Sequence, residues 1–111
     1  MKKFLDAFNG LKIAFKHPAV LLQIILAIMA IIGGFIIKLD LYEWLAFIIC
    51  IALVITSEIF NTVIEKIGDY LNIEYDEKIK TIKDLSSGAV LISCIFSFII
   101  CFIVTIRRVI K

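Results

Sequence analysis

Three long apolar stretches divide the chain, and short charged segments separate them. The first runs from Ala19 to Ile37, 19 residues without a charge. At the helical rise its length is about 28 Å, close to the ~30 Å hydrocarbon core of a bilayer. Pro18 suits the first turn of such a helix, where its missing N–H costs nothing. Gln23 is the only strongly polar side chain within the stretch, and Gly33-Gly34 near its far end permits a close helix contact or a local bend. The second stretch opens at Tyr42-Glu43-Trp44, aromatic residues at the level of a membrane interface. It is apolar from Leu45 to Ser57 and then accepts Glu58 with no break in helical character. The third runs from Gly88 to Ile106, again without a charge, and ends at Arg107-Arg108. The pattern predicts spans over about 19–37, 44–69 and 88–106, with a loop over about 70–87.

A shorter pattern precedes the first span. Phe4, Phe8, Leu11 and Phe15 fall on one helical stripe, while Lys2, Asp6, Asn9, Lys12 and Lys16 fill most of the rest. A helix over about 3–16 is expected, either lying in the interface with its Phe face down or packing on its own bundle. The predicted fold is an all-α membrane protein, one membrane domain over residues 1–111 with a surface helix and three spans.

Composition supports the bilayer reading. The chain has 111 residues, of which 62% are hydrophobic and 20% charged, against roughly 45–50% apolar in ordinary soluble proteins. A soluble domain this short cannot bury so much apolar surface. A net charge of +2 gives no argument for nucleic acid. Cys50, Cys94 and Cys101 lie inside apolar runs without ligand spacing and read as small buried hydrophobes. His17 has no second ligand near it in sequence. The basic start Met1-Lys2-Lys3 suits a leader, but the apolar run begins late, is long, and is followed by no small-residue cleavage site, so cleavage is not expected.

With three spans, the N-terminus and the second loop share one side. That side carries Lys2, Lys3, Lys12, Lys16, Lys66, Lys78, Lys80 and Lys83; the other carries Lys38, Arg107, Arg108 and Lys111. The excess of basic residues predicts a cytoplasmic N-terminus and 70–87 loop, with the C-terminus outside, in a multi-pass protein of the cell membrane.

Eight of the ten acidic residues fall on that same side. Glu58, Glu65 and Asp69 are separated by 7 and 4 residues, which places them within about 40° of one another on a helix. Asn61 and Thr62 flank this face. A carboxylate at the depth of Glu58 costs roughly 2.5–3.5 kcal/mol to insert. A cation, a metal ion or a proton must compensate it. A low-dielectric setting would raise its pKa, as a general base requires. A second carboxylate and an amide on the same face suit hard-oxygen ligation of Mg²⁺. After the loop, Lys83-Asp84 precedes the third span and would face back toward the stripe, where a lysine can neutralise phosphate oxygens. No Walker A or kinase Gly-rich loop is present, so any phosphate chemistry falls to metal, lysine and membrane-helix carboxylates.

The block Glu58-Ile-Phe-Asn61-Thr-Val-Ile-Glu65-Lys-Ile-Gly-Asp69 resembles the signature of the bacterial diacylglycerol kinase/undecaprenol kinase family, E-x-x-N-S/T-A-I-E-x-x-x-D. Glu74-Tyr75 and Lys83-Asp84-Leu-Ser-Ser-Gly-Ala-Val match its E-Y and A-K-D-x-x-S/A-G/A-A-V elements without a gap. The resemblance extends over residues 4–106. It implies a homotrimeric membrane kinase that transfers the γ-phosphate of MgATP to a lipid hydroxyl at the cytoplasmic interface, in active sites shared between subunits. Glu58 would then be the catalytic base and Glu65 the Mg²⁺ ligand. Asn61, Asp69, Lys83 and Asp84 would line the nucleotide site. Undecaprenol is favoured as substrate over diacylglycerol.

One position departs from the family. Its metal-binding Glu near the start of the first span is replaced by Pro18, and no carboxylate lies between Asp6 and Asp40. The implied metal site is one protein ligand short. A non-catalytic membrane oligomer, such as a small pore-former, shares the composition and topology, and so does a divergent, weakly active kinase. The ordered 58/61/65/69 stripe with Lys83-Asp84 argues for the kinase, because a pore needs no such set.

Overall fold

The computed structural model describes residues 1–71, 74 and 76–110. Four helices follow in order: α1 (Lys2–Phe15), α2 (Pro18–Ile37), α3 (Leu41–Leu71) and α4 (Glu77–Ile110). The last three are long and apolar enough to cross a membrane. No residue of α1 is buried, and Phe4 and Phe8 are among its most exposed side chains.

Helix α2 starts on Pro18 with His17 in extended conformation before it, as the fixed proline φ favours. It ends at Lys38, whose φ of 58° lies in the left-handed region. There the Leu39 N–H donates to the Gly34 carbonyl at 3.1 Å, closing the last turn. Two residues later α3 begins with a reciprocal cap. The Glu43 N–H donates to Asp40 Oδ1 at 2.9 Å, and the Asp40 N–H donates to Glu43 Oε1 at 3.0 Å. So short a connection folds α3 back along α2. Trp44 lies over Gly34 and against Phe35 and Phe47, with ring centroids 4.9 and 6.4 Å away for the two phenylalanines.

Helices α3 and α4 run antiparallel. At one end Arg108 Nε donates to Glu43 Oε1 at 2.9 Å, a second bond comes from Arg108 Nη2, and Arg107 approaches Asp40 and Glu43 at 3.7 Å. Near this end Leu39, Phe47 and Val104 form a small buried apolar cluster with Ala30, Trp44, Ile100 and Cys101 around it.

The start of α4 differs from the sequence expectation of a loop over 70–87. Residues 77–87 are helical. Asp76 Oδ1 accepts from the N–H of Lys78 at 2.8 Å and caps the new end. Within the segment Lys80 pairs with Asp84 at 2.6 Å, the i,i+4 spacing that supports an exposed helix. The run holds no Gly or Pro. Its charge density reads as loop in a hydropathy profile, but the charges are spaced to support a helix outside the membrane.

The lengths matter for the site. Helix α2 has 20 residues, α3 has 31 and α4 has 34. All three meet at the Lys38/Asp40/Arg108 end. The surplus therefore falls at the opposite end, where the α3–α4 hairpin projects about 16 Å beyond the start of α2.

Gly34 tests this packing. A Cβ there would stand 2.7 Å from Trp44 Cη2 and 2.9 Å from Leu39 Cδ1, whereas one on Gly33 would meet nothing within 4 Å. Alanine gains roughly 1 kcal/mol of helix propensity at either position, while overpacking costs typically 1–3 kcal/mol. Gly33→Ala is expected to be neutral or stabilising, and Gly34→Ala less stable than Gly33→Ala, in denaturant titrations of the micellar protein. Equal stabilities for the two variants would contradict the Trp44 contact.

Candidate active site on the projecting α3–α4 hairpin

Measured from Leu41, Glu58 lies about 26 Å along α3, Glu65 about 36 Å and Asp69 about 42 Å. A hydrocarbon layer of ~30 Å counted from Leu41 would end between Glu58 and Glu65, and one counted from Leu45, past the Tyr42-Glu43-Trp44 belt, would end at Glu65. The burial pattern follows the same gradient. Glu58 is 6% exposed, Asn61 8% and Thr62 7%. Glu65 is half-buried, and the Asp69 side chain is 70% exposed. The stripe runs from a carboxylate held inside the protein at the membrane boundary to one in water.

Local bonds within the stripe are few. The Thr62 hydroxyl donates to the Glu58 carbonyl at 3.0 Å, the back-bond that lets a threonine sit on a helix without an unpaired hydroxyl. Asn61 Nδ2 donates to Glu65 Oε1 at 3.4 Å, a long bond that turns the amide along the helix. Its other atom, Asn61 Oδ1, is buried and has no partner among the described residues. A buried orphan acceptor is costly unless something occupies it.

Two hard oxygens, Glu65 Oε1 and Asn61 Oδ1, therefore share one turn of α3. No group of three or more His, Cys, Asp or Glu side chains gathers around a point among the described residues. This donor set fits a cation that takes few protein ligands and completes its shell with water and phosphate, as Mg²⁺ does. Pro18, at the first position of α2, brings no donor.

Across the hairpin, Lys83 Nζ donates to Asp69 Oδ1 at 2.5 Å. The lysine side chain is only 33% exposed because its stem crosses the face of α3 at Gly68. Sequence reasoning placed Lys83 opposite the stripe, and the structure brings the two together. Asp84 stands apart. It lies about 100° around α4 from Lys83 and pairs with Lys80 on its own helix. Tyr75, matched in the Glu74-Tyr75 element, lies outside the described residues. The contribution of Gly68 had no signal in residue type, since its neighbour Lys83 is 15 residues away. The Asp40/Glu43–Arg107/Arg108 contact also went unread, although the D-x-x-E spacing of a capping box was visible.

A hairpin with a buried carboxylate at the membrane boundary, hard oxygens one to two turns beyond it and a lysine at its mouth suits phosphoryl chemistry on a membrane-borne hydroxyl. Residues 6–105 match the family described as prokaryotic diacylglycerol kinase. The chain belongs to that family. Among curated relatives, undecaprenol kinase of Bacillus subtilis strain 168 is 32% identical over 77 residues, covering 69% of this chain and 60% of that protein. Diacylglycerol kinase of Helicobacter pylori strain J99 is 35% identical over 89 residues, covering 79% of this chain and 70% of the relative. The match thus spans under two thirds of the Bacillus protein and somewhat more of the Helicobacter one. Family membership and three spanning helices make this a multi-pass membrane protein.

Burial of Glu58 has a cost that can be measured. An ionised carboxylate held out of water is destabilising unless it is paired, and no hydrogen bond or ion pair to its carboxylate is found among the described residues. Glu58→Gln should leave stability unchanged or raise it in micelle unfolding experiments, whereas Glu58→Lys, a buried cation with no carboxylate partner in the stripe nearer than one helical turn, should lower it. A clear loss of stability in the glutamine variant would show that the carboxylate holds the fold together.

Proposed function

We propose that the chain is a lipid kinase that transfers the γ-phosphoryl group of ATP to the primary hydroxyl of a long-chain membrane lipid, with undecaprenol favoured and diacylglycerol next. The observation that carries this is the burial of Glu58 near the far end of the apolar part of α3, a depth close to where a hydrocarbon layer would end. A hydroxyl anchored by apolar tails arrives at that depth and at no other. From one to three turns deeper, Val54 to Phe47 line an apolar cavity of about 270 Å³ between α2, α3 and α4, with Gln23 and Cys94 opposite. It offers room for the first part of a tail below the headgroup.

The step follows from the residues. The Glu58 carboxylate accepts the hydroxyl proton as the lipid oxygen forms its bond to the γ-phosphorus. The bond from that phosphorus to the β–γ bridging oxygen breaks, and ADP leaves. Lys83 offsets negative charge on the phosphates, where preorganised charge contributes most to phosphoryl transfer. Asp69 holds Lys83 in place, and Asp84, turned towards Lys80, could line the nucleotide site only from beside it. Glu65 and Asn61 Oδ1 would hold Mg²⁺, which when bound neutralises phosphate charge. With Pro18 in place of a carboxylate, a bound Mg²⁺ would depend on phosphate oxygens and water for its other ligands.

In this reading the N-terminus and the α3–α4 turn face the cytoplasm, where ATP is, and the C-terminus lies outside. Arg107 and Arg108 then sit on the outer side, paired with Asp40 and Glu43, and the eight Lys against four Lys/Arg still favour that orientation. α1 lies in the inner interface on its phenylalanine face. The assembly is a homotrimer with sites completed by neighbouring subunits, as the family resemblance implies, since one chain brings only Glu65 and Asn61 Oδ1 to the cation site.

Two measurements test these assignments. With radiolabelled ATP in mixed micelles, the protein is expected to label undecaprenol or diacylglycerol. Glu58→Gln should lower kcat by at least about 100-fold, the usual size of a general-base contribution, with little change in KM for ATP. Glu65→Gln should instead shift the Mg²⁺ concentration needed for half-maximal rate upward. Labelling of neither lipid, or wild-type rates in both variants, would rule the assignment out. Native mass spectrometry should give trimers in mild detergent, and monomers across all detergents would exclude shared sites.

A further inference from the structure

We infer that Gly68 is a positioning residue: its missing side chain is the seat over which the Lys83 stem crosses α3 to bring its ammonium to Asp69 and the phosphate site. This rests on the phosphate-binding role proposed for Lys83. Glycine is the poorest helix former after proline, so one in the middle of a helical turn next to Asp69 calls for a packing reason. The contacts supply it. Of the five glycines in the chain, Gly10, Gly33 and Gly88 have nothing within 4 Å of a built Cβ, and Gly34 lies under Trp44. Gly68 is buried. A Cβ there would come within 2.9 Å of Lys83 Cε and 3.2 Å of Ile79 Cγ2.

The identity of the nearest atom decides what a substitution does. Lys83 Cε is near the end of a flexible chain, so an added methyl is relieved by swinging the lysine aside while the two helices stay close. Ile79 must give by only a few tenths of an ångström. What moves is therefore the ammonium, away from Asp69 and from the stripe. The pair itself is exposed on its Asp69 side, so its loss carries little stability. Gly68 thus sets where a charge stands and adds little to folding.

The test is a set of variants of the full chain, assayed in mixed micelles with the lipid that it phosphorylates. Lys83→Ala should raise KM for MgATP at least about tenfold, the range for a lost charge-assisted contact. Gly68→Ala should raise it about fivefold at a kcat within about twofold of wild type, since a displaced lysine keeps part of the interaction. Its melting temperature should not fall. In the Lys83→Ala background, Gly68→Ala should have no further effect on KM, because only coupled positions are non-additive. Gly68→Ala with Ile79→Ala, which removes the second close contact, should keep the raised KM and so separates lysine displacement from helix packing. An unchanged KM in Gly68→Ala beside a raised one in Lys83→Ala overturns this inference and leaves the role of Lys83 intact. An additive effect in the double variant, or recovery of KM with Ile79→Ala, overturns it as well. An unchanged KM in Lys83→Ala overturns the phosphate role and this inference with it.

Discussion

The register between α3 and α4 governs everything else in the molecule. Charge marks it at both ends, strongly where buried Glu43 meets Arg108 and weakly where exposed Asp69 meets Lys83. The spacings agree: Glu43 and Asp69 are 26 residues apart on α3, and Lys83 and Arg108 are 25 apart on α4. At the helical rise these are about 39 and 38 Å. Two straight antiparallel helices therefore satisfy both contacts together, and a slip of one turn would lose both. Between the clamps most of the contact surface is apolar, with buried Glu58, Asn61, Thr62 and Ser86 towards the Asp69 end, and the interior of a bilayer rewards no particular register among the apolar residues. Charge at the two ends supplies the specificity that hydrophobic burial cannot.

The same arrangement explains the location of the chemistry. Because α2 is short and meets the other helices at the Arg108 end, the extra turns of α3 and α4 emerge together at the opposite end. The stripe on α3 crosses the boundary there. Its deepest member is a carboxylate with apolar neighbours, and its outermost is a carboxylate in water paired to a lysine. A lipid hydroxyl and a water-soluble nucleotide come from opposite sides of that boundary. A single amphipathic face that spans it can meet both without any part of the chain moving through the membrane.

Much of this could be read in the sequence. Uncharged runs of helical length marked the three spans, and the 7- and 4-residue spacings of Glu58, Glu65 and Asp69 marked the stripe. The boundary between loop and helix before the third span was misplaced, because hydropathy treats Lys80 and Asp84 as loop residues while their spacing makes a helix stable in water. Contacts between distant residues were harder to see. Glu43 reads locally as a cap, and nothing near it in sequence points to Arg108. Gly68 reads as a weak point in a helix until Lys83 is placed over it. Local pattern carries element type and facing; pair identity across 15 or 65 residues needs the packed structure.

Asn61 links the fold to the chemistry more closely than any other residue. A buried amide on a membrane helix is ordinarily satisfied on both sides, since no water is present to complete it. Here the nitrogen is turned along α3 to Glu65, and the oxygen is left without a partner. Rotating the amide by half a turn would put its oxygen against the Glu65 carboxylate, two acceptors facing each other, so the carboxylate fixes which way it points. The consequence is an oriented acceptor beside a carboxylate, in a low-dielectric setting where both attract a cation strongly. An acceptor left without a partner favours whatever donor or cation reaches it, and in the proposed kinase that occupant would be a small hard cation that brings phosphate ligands of its own.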